Sequence, residues 1–219
     1  ILAKAFLSSP AALQKTIDER RRRIATNPTK DQQQEIEALD RLTALNAAAF
    51  TSSAKYDKLV EYLTTIGIAR RSPERAVVFA ERVATLSWLR DRLGSDLKLA
   101  GDQITVLHGG LSDTEQQQIV ESFKQSNSPI RVLVTGDVAS EGVNLHQQCH
   151  ELVHFDIPWS LIRIEQRNGR IDRYGQRHRP QITTLLLEPS STAFRGDLRV
   201  LSRLLEREQE AHETLGDAA

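Results

Sequence analysis

Five short apolar runs constrain this chain more than any other feature. They are "AVVFA" (76–80), "ITVLH" (104–108), "RVLVT" (131–135), "ELVHF" (151–155) and "ITTLLL" (182–187). Each is too short for a buried helix, and most are rich in branched residues, so each reads as a strand. Between them apolar residues recur at helical spacing, over about 81–93, 112–125 and 160–174. Strands alternating with helices predict parallel βαβ units with helices on both faces of one sheet. Nearly continuous apolar strands fit a sheet buried on both sides. Ser112-Asp113-Thr114-Glu115 has the form of a capping box at the start of the second helix.

The first 50 residues read differently. Leu13, Ile17, Arg20 and Ile24 follow helical spacing, as do Ile36, Leu39, Leu42 and Leu45. Asn27-Pro28 breaks the two segments apart. Thr51-Ser52-Ser53 predicts a cap for a third helix, with Leu59, Leu63 and Ile66 on one face. A last helix is expected from about Phe194 to His212, carrying Leu198, Leu201, Leu204 and Leu205. The predicted organisation is a helical segment (1–50), an α/β lobe (51–190) and a C-terminal helix and tail (191–219).

Composition narrows the function classes. No run approaches 18 apolar residues, so no membrane-spanning helix is predicted, and no signal peptide is visible. The single Cys149 excludes an intrachain disulfide and fits a reducing compartment, so a cytoplasmic location is expected. With 29 basic and 29 acidic residues, no global field draws the chain to a polyanion. The basic residues are nevertheless uneven: 22 are Arg and 7 are Lys, and six arginines fall between Arg163 and Arg179. Arg suits bidentate phosphate recognition better than Lys. A start at Ile1 and the lack of Met suggest a piece of a longer polypeptide.

In open parallel sheets ligands bind outside the carboxyl ends of the strands. The loops expected there are 108–110, 135–144 and 156–160. The glycines of His108-Gly109-Gly110 let backbone amides approach a phosphate, although two glycines after a strand equally mark a plain turn. In "TGDVASEGVNL" (135–145), Thr135 and Ser140 offer hydroxyls to a phosphate, and Asn144, two residues after Gly142, offers an amide to a ribose. The same residues also suit a βα loop with helix caps. In "QRNGRIDRYGQ" (166–176), an extended helix would place Gln166, Arg170 and Arg173 on one face. Two guanidiniums so spaced repel unless an anion lies between them. Gly169 would leave room for it, at about 1 kcal/mol in helix propensity.

Taken in order, "LHGGLSDTEQQQIVESF", "VLVTGDVASEGVNL", "VHFDIPWS" and "EQRNGRIDRYGQ" resemble the second RecA-like lobe of superfamily 2 helicases, over about residues 55–190. The Arg-x-Gly-Gln ending resembles the Snf2 group, and its bacterial members most. The lead-in "AFLSSPAALQKTIDERRRR" is similar to a helical segment that those members carry between lobes. The resemblance implies a RecA-like three-layer α/β/α parallel sheet preceded by a helical segment.

It also implies roles. Arg170 and Arg173 match arginines that reach nucleotide phosphates across a lobe interface, as arginine fingers. Gln166 and Gln176 match glutamines that position that motif, and Glu141, Gly142 and Asn144 match positions near the nucleotide sugar. His108, Gly109, Gly110, Thr135 and Ser140 match a surface that meets the nucleic-acid backbone. ATP and Mg²⁺ are the implied cofactors, held mainly by a first lobe that this chain lacks. There is no Gly-Lys dipeptide, hence no phosphate-binding loop. "DERR" (18–21) sits in a helical pattern with no apolar strand before it, so it does not serve as a metal-binding acidic box.

The implied partners are the N-terminal RecA-like lobe of the same polypeptide, double-stranded DNA, and proteins of a remodelling or defence complex, with no membrane. The implied activity is ATP-dependent translocation, absent from this lobe alone. An RNA helicase lobe and a non-catalytic RecA-like scaffold are the alternatives. "RYGQ" opposes the first and the paired arginines oppose the second. One departure is that Ser160-Leu161 follows Trp159, where the Snf2 group usually has Trp-Asn-Pro. Trp159 is expected to cap the sheet or stack a base, and Arg20–Arg23 to form a solvated helix face or meet DNA phosphate. His146, His150 and His154, with Cys149, have a metal-like spacing, but a strand at 151–155 would separate them, so no metal site is expected.

Overall fold

The computed structural model describes residues 1–24, 27–137, 143–191 and 196–216. Strands β1 (Ala76–Phe79), β2 (Ile104–Leu107), β3 (Val132–Thr135), β4 (Glu151–His154) and β5 (Gln181–Thr184) form one sheet in the order β2-β3-β1-β4-β5. Every pairing is parallel, and Val77 lies level with Leu133 on one side and Leu152 on the other. Helices α1 (Leu2–Ser8), α2 (Pro10–Arg22), α3 (Lys30–Ala49) and α4 (Ala54–Thr65) precede the sheet. Helices α5 (Val83–Asp96), α6 (Asp113–Lys124), α7 (Leu161–Asn168) and α8 (Asp197–Gly216) complete the fold. The RecA-like three-layer arrangement expected from the sequence is the one observed.

Strand alternation builds the layers. Ala76, Val78 and Ala80 pack with Leu59 and Leu63 of α4 and Leu86, Leu89 and Leu93 of α5. Val77 and Phe79 point the other way, onto Val120 and Phe123 of α6 and onto Leu145 and Ile171. Each large side chain buried here contributes about 1.5–3 kcal/mol. β5, one of the two edge strands, departs from the expected two-sided burial: Gln181, Ile182 and Thr184 are exposed, whereas β2 at the other edge is buried or half-buried.

The capping box at Ser112 is present, and α3 has a second one, Thr29 with Gln32. The first three helices share a small core of Ala5, Ala12, Leu13, Ile17 and Leu39. Leu45 does not join it and is 76% exposed. The buried stripe passes instead through Asn46, whose Nδ2 donates to Pro10 O at 2.9 Å. The basic run is not purely solvated: Arg20 pairs with Glu35 and Arg21 with Asp40, both on α3. Such surface pairs contribute about 0–1 kcal/mol each.

A buried polar cluster fastens the lead-in to the lobe. Lys55 Nζ donates to Leu7 O at 2.8 Å and lies 3.4 Å from Asp156 and 3.6 Å from Asp197. Ser8 Oγ donates to Asp156 Oδ2 at 2.7 Å, and Glu81 N donates to the same oxygen at 3.0 Å. Burial pushes the Asp197 carboxyl above the usual carboxylate range, and Lys55 opposes that shift. Among the described residues no helix is long and apolar enough to cross a membrane.

Candidate functional site

The loop after β4 leads into α7 through Ser160, the N-cap. This helix is shorter than its sequence pattern suggests and ends at Asn168. The amides of Ile171 and Asp172 both donate to Asn168 O, at 3.1 and 2.9 Å, and close the chain into a turn. Ile171 is fully buried against Val77, Leu145 and Leu152, which draws the chain off the helix axis. Gln166, Arg170 and Arg173 therefore do not share a helix face. Gln166 stays on the exposed side of α7, and both arginines lie beyond it. Gly169 is the C-cap, with an ordinary helical φ of −61°, and a Cβ there would meet Glu165 O at 3.4 Å.

The turn packs against residues 143–145. Leu145 N donates to Arg170 O at 3.0 Å, and Arg170 Nη1 lies 3.5 Å from Val143 O. Arg173 Nη1 donates to Asn144 Oδ1. The structure thus brings together Asn144, Arg170 and Arg173, three residues singled out in the sequence. Arg173 is exposed, and among the described residues no carboxylate pairs with it. The next turn closes by Gln176 N to Arg173 O at 3.1 Å, with Gly175 at φ +93°, which a side chain would strain. Gln176 Nε2 donates to Cys149 O at 2.9 Å and Ile171 O at 3.0 Å. Its Oε1 accepts from the amides of Arg177 and His178, so this glutamine holds the turn through its side chain.

Sequence reasoning passed over Arg167, the most elaborately held arginine of the set. Its side chain is 2% exposed and pairs twice with Asp137, Nε to Oδ1 at 2.5 Å and Nη2 to Oδ2 at 3.1 Å. Nη1 donates to Asp156 O at 2.7 Å, and the guanidinium lies over the Phe79 ring at 5.1 Å. Arg167 therefore joins the last residue of β1 and the loops after β3 and β4 to α7. The sequence shows only that Arg167 is i, i+3 from Arg170; its pairing with Asp137, two residues past β3, joins positions 30 residues apart.

The remaining predicted residues are placed as follows. Thr135 is fully buried, and its hydroxyl donates to Leu107 O at 3.1 Å. It locks β3 to β2 and has no surface to offer a nucleic-acid backbone. His108, Gly109 and Gly110 form a turn at the carboxyl end of β2, with both glycines exposed. Gly110 N donates to His108 Nδ1 at 3.0 Å, and a Cβ at Gly110 would come within 2.9 Å of that ring. Ser140, Glu141 and Gly142 lie outside the described residues. Trp159 does not cap the sheet: it is 52% exposed, with Lys4 Nζ 5.0 Å from its ring centre.

The histidines diverge. His150 stacks on His178 at 5.0 Å, and His146 lies beside Gly175. His154 is buried, with Nε2 2.8 Å from Asn168 Oδ1. Burial lowers its pKa to about 4, with Arg167 adding to the effect and Asn168 opposing it.

Comparison with known proteins adds three findings. The model of the helicase conserved C-terminal domain matches residues 54–175. RNA polymerase-associated protein RapA of Vibrio cholerae is 33% identical over 140 residues, covering 64% of this chain. The RapA of Serratia proteamaculans is 33% identical over 141 residues. The chain spans only 14% of the length of these relatives. Among solved structures, the C-terminal part of the Fun30 ATPase domain superposes with a TM-score of 0.56 at 21% identity, covering 84% of this chain and 65% of that one. The C-terminal domain of the DEAD-box protein Dbp5 gives 0.51 at 21% identity, covering 76% and 81%. These two likenesses concern the fold.

Proposed function

Since this chain belongs to the helicase conserved C-terminal domain family, we propose that it is the second motor lobe of an ATP-dependent double-stranded-DNA translocase. The observation that carries this reading is the meeting of Arg173 and Asn144 beside the Arg170 turn. An exposed guanidinium held by a neutral amide keeps its full charge for an incoming anion. Arg170 and Arg173 act as fingers on the triphosphate of ATP, which a partner RecA-like lobe holds together with Mg²⁺. Fingers of this kind act on charge that develops on the transferring phosphoryl group.

Asn144 orients Arg173 and lies within reach of the nucleotide sugar. Arg167 and Gln176 brace the turn from either end. The exposed turn His108-Gly109-Gly110 contacts the DNA backbone, without reading bases. The RapA relatives carry the name RNA polymerase-associated protein, and protein partners of a remodelling or defence complex are the corresponding expectation for the whole polypeptide.

The test is ATP hydrolysis by the two-lobed protein with no nucleic acid, with duplex DNA and with duplex RNA. Stimulation by DNA above RNA is expected. Equal or greater stimulation by RNA favours the RNA helicase alternative, and no hydrolysis in any condition favours the scaffold.

A further inference from the structure

Asn168 makes two kinds of bond at the point where α7 ends. Its main-chain carbonyl accepts from Ile171 N and Asp172 N, and so begins the turn that presents Arg170 and Arg173. Its side-chain Oδ1 lies 2.8 Å from Nε2 of His154, the last residue of β4. His154 is 1% exposed, and its Nδ1 lies 3.4 Å from Arg167 Nη1. A guanidinium only donates, so Nδ1 is the accepting nitrogen and Nε2 carries the proton. Asn168 must then present its oxygen. Each group has one satisfied orientation, and a polar pair of this kind, with His154 buried and Asn168 half-buried, specifies a single geometry more sharply than apolar packing does.

We propose that His154 and Asn168 are positioning residues for the arginine turn. They fix the end of α7 against the end of β4, and so set where Arg170 and Arg173 stand relative to a nucleotide in the facing lobe. Neither touches that nucleotide. The proposal rests on the reading of Arg170 and Arg173 as phosphate-facing. It adds the device that aims them. A displacement of about 1 Å at a site of this kind can lower a rate by about 10²-fold.

The experiment uses the two-lobed protein and measures steady-state ATP hydrolysis with duplex DNA. The variants are Asn168→Ala, His154→Phe, His154→Gln, the double variant His154→Phe with Asn168→Leu, and Arg173→Ala as reference. Asn168→Ala and His154→Phe are expected to lower kcat by about 10- to 100-fold, with KM for ATP unchanged because the other lobe holds the nucleotide. His154→Gln keeps one donor and one acceptor and is expected to retain most of kcat. The double variant restores apolar packing and the thermal midpoint, but not kcat.

Wild-type kcat in Asn168→Ala, or full recovery in the apolar double variant, overturns the positioning role if Arg173→Ala is inactive. Full activity in Arg173→Ala overturns the finger reading, and the proposal with it.

Discussion

Arg167 and Asp137 form a two-point ion pair in which the arginine is 2% exposed and the aspartate 25% exposed. The pair spans 30 residues of sequence and fastens α7 to the end of β3. Its guanidinium also reaches Asp156 O at 2.7 Å. Arg167→Met removes both short bonds to Asp137, which keeps Arg163 at 3.7 Å, and the donor to Asp156 O. The variant is therefore expected to destabilise this chain by about 2 kcal/mol. Arg167→Lys keeps the charge but loses the planar fork, and should fall between Met and wild type. Urea unfolding midpoints of the three proteins check the order.

His154 predicts a pH dependence with a definite sign. Its folded pKa is about 4, below its ordinary 6.5, chiefly because of burial. The unfolded chain takes up that proton first as pH falls. The stability from neutral His154 is therefore complete above about 6.5 and is lost as pH falls through about 4. The loss is on the order of 3 kcal/mol. Unfolding midpoints for wild type and His154→Gln, measured between pH 7 and pH 4, should diverge in that window, with wild type falling more.

Asp197 predicts the opposite sign. Burial raises its folded pKa, while Lys55 at 3.6 Å only partly offsets this. Its contribution is present below the unfolded value, near 3.9, and is lost as pH rises through the higher folded value. Asp197→Asn removes the ionisation and keeps an acceptor for Leu187 N, now bonded at 2.9 Å. The variant is expected to have a higher urea midpoint than wild type at pH 7, with a smaller gap at pH 4.

Cys149 is 3% exposed, and burial pushes its thiol up to about 12. The thiolate is the reactive form. A chromogenic disulfide reagent should leave the native chain unmodified over minutes and titrate the single thiol promptly in denaturant.

Much of this architecture was legible in the sequence because short apolar runs and helical spacing report burial directly. The strands, α6 with its capping box and the lead-in helices follow from such local patterns. What was not legible depends on contacts distant in sequence. The end of α7 is set by Ile171 finding a core assembled from β1, β4 and residue 145, which no local propensity encodes. Leu45 and Asn46 exchange roles where α3 packs on α2, and Asn46 Nδ2 reaches Pro10 O, 36 residues away. Of the candidate site, the residue types of the arginine turn were readable. The burial of Thr135 and the engagement of Arg167 were not, since both depend on the neighbour across the sheet.

The most direct measurement is single-turnover ATP hydrolysis by the DNA-bound, two-lobed protein, comparing wild type with Arg173→Ala. The account predicts a rate lowered by about 10³-fold or more, with ATP affinity nearly unchanged. A wild-type rate in Arg173→Ala would contradict it.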